Sequence, residues 1–315
     1  MGKINTLMLK SSKKLSLYAL LVFVLVLIFS SFFASFLKIS IINVLLLSPI
    51  IIFATLLPVV RGAFQGLQKF NMLSFNLFLE VITKLGLGVL LVYLGLKVNG
   101  AILAITLSFF IPIIIALIIL KKYFRKTDES IDTKRVYRYT YPILVTILFL
   151  TIMFSIDIIL VKHFFEEMFA GFYAAVALAG KVIFFATLPI SLVLFPKSIE
   201  NQTLKRSTAS ILKKGVFLVS IVAVPIALFY LLFPKIALGV LFGNESVSIY
   251  DTLGYNILFL FGIALTIFSL NYLLATYNLS INRTKFIYFL IFLTILESIL
   301  ISLFHNSLFQ VVLIL

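Results

Sequence analysis

Nine apolar runs, each about as long as a membrane-crossing helix, constrain this chain more than any other feature. A bilayer core about 30 Å thick is spanned by about 20 apolar residues rising about 1.5 Å each. The runs fall near residues 15–37, 40–60, 72–96, 101–120, 142–165, 169–195, 215–233, 252–277 and 286–304. A tenth begins at Leu308 and reaches the last residue, Leu315, after 8 residues, too few to cross. Hydrophobic residues make up 63% of the 315 and charged residues 12%. A water-facing domain runs at about 45–50% apolar and about 25% charged, so this much apolar surface has to meet lipid. The sequence predicts an all-α polytopic membrane protein with nine full transmembrane helices plus a truncated tenth.

The formal net charge of +15 would point to nucleic acid in a soluble protein. In a membrane protein it is explained by Lys and Arg gathered on the cytoplasmic side, and no nucleic-acid partner is expected. With the N-terminus inside and the runs alternating, only Lys38, Lys97, Lys162 and Lys235 fall outside, and Lys84 and Lys181 lie within spans. The remaining 20 of the 26 Lys and Arg face inward. This split predicts a multi-pass protein of the cell membrane with a cytoplasmic N-terminus. Lys10, Lys13 and Lys14 before the first run imitate a signal peptide. That run exceeds the roughly 7–15 residues of a signal core, so it is read as a retained span.

The longest polar stretch, Lys121 to Tyr141, carries seven basic and three acidic residues. It marks a boundary between an N-terminal part, 1–126, a cytoplasmic linker, 127–141, and a C-terminal part, 142–315. Arg61 to Asn71 reads as a polar turn. Thr140 before Pro142 reads as a helix start, Pro196 as the close of the sixth span, Lys197 to Lys214 as a second basic loop, and Lys235 to Asp251 as an outer connector. Pro49 and Pro58 are expected to kink the second span.

Five ionisable residues fall within spans: Glu80, Lys84, Asp157, Lys181 and Glu297. Each costs about 2.5–3.5 kcal/mol at a helix centre on insertion scales, so each is expected to face a bundle interior or a wet cavity. Glu80 and Lys84, four apart, share a helix face. They are either a self-neutralising pair or, through Lys84, an anion site. Asp157 and Lys181 lie at similar depth on adjacent antiparallel spans. They are either a structural ion pair or a switchable pair along a pathway. Glu297 has no partner legible in sequence, and reads as a hydrogen-bonded acid or a cation- or proton-coupling site.

The remaining signals exclude more than they assign. Without cysteine there are no disulfides, thiolate metal sites or Cys nucleophiles. His163 and His305 stand in no metal-ligand spacing, so no metal is expected. Gly62 and Gly66 match a small-residue packing motif. Of the Asn-x-Ser/Thr sites, those at Asn201, Asn278 and Asn282 fall on the predicted inner side, and Asn244 falls outside. No nucleotide-binding loop or Ser-His-Asp arrangement occurs and the outer loops are short, so neither an enzyme nor a cofactor is expected.

Several stretches together resemble a known family. They are Arg61-Gly62-Ala63-Phe64-Gln65-Gly66-Leu67-Gln68-Lys69-Phe70, Lys97-Val98-Asn99-Gly100-Ala101, Ser155 to Lys162, Ala170 to Ala175 with Gly180-Lys181, Leu194-Phe195-Pro196 and Leu241-Phe242-Gly243. In order and spacing they are similar to the polysaccharide-biosynthesis flippases, the O-antigen and repeat-unit exporters of the multidrug/oligosaccharidyl-lipid/polysaccharide exporter superfamily. The resemblance implies two pseudo-symmetric helical lobes around a central cavity. The first four spans would match helices three to six of a twelve-helix fold, and the rest helices seven to twelve with the last cut, so the chain is expected to be a piece of a longer protein. It implies export of a polyprenyl-diphosphate-linked oligosaccharide by alternating access, with Lys84 and Lys181 attracting the diphosphate and Arg61 at the inner mouth. Lipid-linked oligosaccharide, membrane lipids, and glycosyltransferases and a polymerase of the same pathway are the implied partners. A cation-coupled multidrug antiporter of the superfamily is the alternative, and a membrane-embedded glycosyltransferase or polymerase a more distant one.

Overall fold

The computed structural model describes residues 2–67, 69–121, 133–243 and 256–315, without the side chains of 2–10 and 133–139. Residues 127–132 of the expected linker, Gln68 of the Arg61–Phe70 stretch, and residues 244–251 of the expected outer connector, Asn244 included, lie outside the described residues. The fold is all-helical, with no strand among the described residues. The chain divides into two compact units, Met1–Val136 and Tyr137–Leu315.

The first unit begins with α1 (Gly2–Ile28) and α2 (Ser30–Phe36), separated at Phe29. The chain turns at Lys38, whose φ is 53°. Ser40 then caps α3 (Ile41–Leu47), its hydroxyl accepting from the Ile42 amide at 3.3 Å. Pro49 separates α3 from α4 (Ile50–Gly66), and Pro58 is carried inside α4. Arg61 to Gly66 therefore belong to a helix and not to the expected polar turn. At Gly62 an added Cβ would meet nothing within 4 Å, so that glycine marks no close packing.

Eight helical segments among the described residues are long and apolar enough to cross a membrane, against nine expected. The difference lies in one 51-residue stretch, Phe70–Leu120. It comprises α5 (Phe70–Leu91), a short π-helical turn (Val92–Leu96) and α6 (Lys97–Leu120). Gly95 at φ 86° and Lys97 at φ 47° reverse the chain there, conformations that suit glycine and strain lysine. An added Cβ on Gly88 would lie 3.9 Å from Ala104, and one on Gly100 would clash with the Leu91 backbone at 2.9 Å. Those pairings run in opposite directions along the sequence, so α5 and α6 form an antiparallel hairpin. Helices α4 and α6 pack around Val60, Ala63, Phe64, Ala116 and Leu120.

The second unit holds α7 (Thr133–Met153) from Tyr137 onward, then α8 (Ile156–Phe164), α9 (Glu167–Thr203), α10 (Ala209–Leu232), α11 (Pro234–Phe242), α12 (Ile257–Ser280), α13 (Phe286–Leu303) and α14 (Leu308–Ile314). Helix α9 is its spine, packing against α8, α10, α11 and α12. Gly180 lets α12 approach closely, since a Cβ there would come within 2.9 Å of the Phe261 ring. Two proline expectations are corrected. Pro142 lies inside α7, where Thr146 donates back to its carbonyl at 2.8 Å. Pro196 does not end α9, which runs on to Thr203. A helix embedded in lipid tolerates proline when neighbours and hydroxyls satisfy the released carbonyls. The expected basic loop 197–214 is accordingly mostly helical, and only residues 204–208 connect α9 to α10.

Outward-facing positions remain apolar. Tyr93 is 88% exposed, Val240 80% and Phe217 64%. In water such a surface would aggregate; in a bilayer it is the lipid face.

Candidate functional site

The intramembrane charges fall into two clusters, one in each unit. In the first, α4 and α5 bring Arg61 beside Glu80, with the guanidinium Nη2 donating to Oε2 at 2.7 Å. Arg61 Nε donates to Asn76 Oδ1 at 2.9 Å. Asn76, one turn before Glu80 and buried, donates in turn to the Pro112 carbonyl of α6 at 2.8 Å. Lys84 donates to the other Glu80 oxygen at 3.2 Å and lies 5.5 Å from the centre of the Phe109 ring. Glu80 thus answers two cations, and three helices are tied by a polar network whose side chains are all hydrogen-bonded. Its sum is one positive charge. Lys84 is the most accessible member, with 40% of its side chain exposed against 18% for Arg61.

The second cluster gathers on α8, α9 and α13. Asp157, in the first turn of α8, is buried. Its Oδ2 accepts from the Tyr173 hydroxyl at 3.0 Å. Lys181 is buried two turns further along α9, and its ammonium lies 4.4 Å from the centre of the Phe154 ring. Glu297 on α13 is buried as well. Asp157, Lys181 and Glu297 line one small cavity of about 30 Å³, together with Phe154 and Phe268. Asp157 Oδ1 and Glu297 Oε2 have no hydrogen-bond partner. A space of that size has room for about one or two waters or a bare ion.

The ion pair expected between Asp157 and Lys181 is not formed, since no ion pair within 4 Å joins them among the described residues. The carboxylate turns to Tyr173, eight residues before Lys181 on the same helix, and the ammonium takes an aromatic face instead. Both groups still open on one cavity, and Glu297 joins them there. Arg61 is held within the first cluster by Asn76 and Glu80. Asn76 and Tyr173 were not singled out from sequence. A polar side chain one turn from Glu80, and a tyrosine on the span after Asp157, are the signals that could have found them.

Among the described residues no group of three or more His, Asp or Glu side chains could hold a metal ion. His305 stacks on Phe164 at 3.9 Å, with His163 edge-on to the same ring at 4.9 Å.

The sequence pattern of the polysaccharide biosynthesis protein family matches residues 7–202, a stretch that holds Arg61, Glu80, Lys84, Asp157 and Lys181 but not Glu297. An uncharacterized membrane protein of Methanocaldococcus jannaschii is 26% identical over 212 residues, covering 62% of this chain and 49% of that protein. The chain spans about half the length of this curated relative. No solved structure matches the chain significantly.

Proposed function

The chain belongs to the polysaccharide biosynthesis protein family, and from that premise we propose that it is part of a flippase for a polyprenyl-diphosphate-linked oligosaccharide. The observation that carries this reading is the family match over 7–202 on a chain built of apolar, membrane-length helices. The protein would move the headgroup from the cytoplasmic to the outer leaflet by alternating access, in the cell membrane, with the chain's N-terminus cytoplasmic. The two units would then be parts of the two lobes of that transporter.

The diphosphate needs cations that can be approached inside the membrane. Lys84 is half-exposed beside a carboxylate already shared with Arg61, so it can turn from Glu80 to an anion and leave Glu80 paired with Arg61. Lys181, buried against Phe154 and with no carboxylate within 4 Å among the described residues, would become approachable when its cavity opens in the transport cycle. These two lysines are the proposed diphosphate contacts, and Arg61 supports the first. A headgroup with two negative charges leaving a negative interior gains about 4–5 kcal/mol per 100 mV of membrane potential. An inside-negative potential should therefore speed export, and export indifferent to the potential would contradict the charge assignment.

A second reading, a cation-coupled antiporter, is favoured by one observation: two buried acids with unpartnered oxygens on one small cavity. Sodium- or pH-driven drug exchange in vesicles, without movement of lipid-linked sugar, would decide for it.

The proposed orientation has a clean test, because the chain contains no cysteine. Single cysteines replacing Lys38 and Lys97 should react with an impermeant maleimide on intact cells. One replacing Lys205 should react only after permeabilisation. The reverse pattern would invert the topology.

A further inference from the structure

An apolar groove runs between α9 and α10, and no residue of either charge cluster lines it. Its volume is about 480 Å³, within the roughly 300–1,000 Å³ typical of small-molecule sites. Its floor forms where Gly215 lets the two helices approach closely. Gly215 sits against Leu194, and a Cβ at Gly215 would lie 2.5 Å from the Leu194 side chain. Pro189, Ile190, Val193 and Leu218 wall it. Val193 and Leu218 are exposed, so the groove opens on the lipid face of the unit.

Lys197 and Lys214 also line it. Lys197 lies six residues before the end of α9 at Thr203, and Lys214 five residues after the start of α10 at Ala209. On antiparallel helices joined by residues 204–208 this sets both ammonium groups at nearly one height, about 8–9 Å from the connection. Both are exposed, and among the described residues neither is engaged by a carboxylate. No acidic side chain lines the groove.

An occupant must therefore be apolar along its length and anionic at one end. We propose that the groove binds one molecule of anionic phospholipid, its acyl chain along Ile190, Val193 and Leu218 and its phosphate between Lys197 and Lys214. A neutral lipid would leave the lysine pair unanswered. A lipid-linked oligosaccharide has the same anionic, chain-bearing chemistry, but the wall offers no hydroxyl, amide or carboxylate to hold sugar. Lysines at the ends of membrane helices do attract anionic lipid in general. What distinguishes this pair is its position astride a formed apolar groove.

The test is native mass spectrometry of the purified protein titrated with phosphatidylglycerol or with phosphatidylcholine of matched chains. One phosphatidylglycerol should be retained in preference. Lys197→Gln with Lys214→Gln should weaken it about 10–30-fold, as expected for two cations at a membrane surface. Lys205→Gln with Arg206→Gln removes the same charge outside the groove and should weaken it less than about threefold. Val193→Trp, which fills the groove and keeps the lysines, should also displace the lipid. Melting of each variant in detergent without added lipid checks that it folds. Equal retention of the two lipids, an unchanged affinity in the Lys197/Lys214 variant, or an equal loss in the Lys205/Arg206 variant would overturn the proposal. So would occupation of the groove by a polyprenyl diphosphate in place of phosphatidylglycerol. None of these readings depends on transport, so the proposed flippase activity can fail while this site stands.

Discussion

The two charge clusters solve the same problem in opposite ways. Around Glu80 the groups answer one another: Arg61 and Lys84 share its two oxygens, and Asn76 links Arg61 to the Pro112 carbonyl. Around Asp157 they do not. Tyr173 satisfies one oxygen, Lys181 rests on a ring, and two carboxylate oxygens have no partner. Buried polar groups are nearly always hydrogen-bonded, so unanswered ones ask for an explanation. The first cluster reads as a clasp between helices that keeps one accessible lysine. The second leaves two buried acceptors open on one small cavity.

That contrast can be broken by measuring stability, through melting of the purified protein in detergent. The largest loss should follow Glu80→Gln. Exposed ion pairs contribute about 0–1 kcal/mol and breaking buried ones costs about 3–5. With 15% of the Glu80 side chain exposed, a loss of about 2 kcal/mol is expected. Asn76→Ala should follow at about 1–2 kcal/mol, because it removes the hydrogen bonds to Arg61 and Pro112 and leaves one guanidinium N–H without its acceptor. Tyr173→Phe removes one hydrogen bond and should cost about 0.5–1 kcal/mol. Asp157→Asn and Glu297→Gln should leave stability within about 0.5 kcal/mol of wild type, since each exchanges a costly buried acid for a neutral amide of the same shape. If either cost as much as Glu80→Gln, the second cluster would be a clasp like the first.

The sequence made the helices legible because lipid demands long apolar runs, and those runs are unambiguous over most of the chain. It misplaced their ends where proline stands. Proline ends helices in water, but α7 and α9 pass through Pro142 and Pro196, as membrane helices can where neighbours satisfy the freed carbonyls. The hairpin at Gly95–Lys97 was legible from its glycine and polar residues. The ionisable residues were legible for the same reason as the helices, since a charge in an apolar run stands out. Their partners were not. The Glu80–Lys84 pair follows from helix periodicity, whereas Arg61 and Glu80 meet only once α4 packs on α5. Asp157 met Tyr173 in place of Lys181 because hydrogen-bond geometry, and not depth alone, selects a partner.

The flippase proposal is tested most directly at Lys181, a buried cation with no carboxylate within 4 Å among the described residues. The direct measurement is transfer of a polyprenyl-diphosphate-linked oligosaccharide between the leaflets of reconstituted vesicles, read as headgroup accessible to an external lectin. The protein is predicted to accelerate transfer over empty vesicles, and Lys181→Ala to slow it about tenfold or more, the loss of about 1.4 kcal/mol of stabilisation, while inserting as well as wild type. Transfer no faster than in empty vesicles, or undiminished in Lys181→Ala, would contradict it.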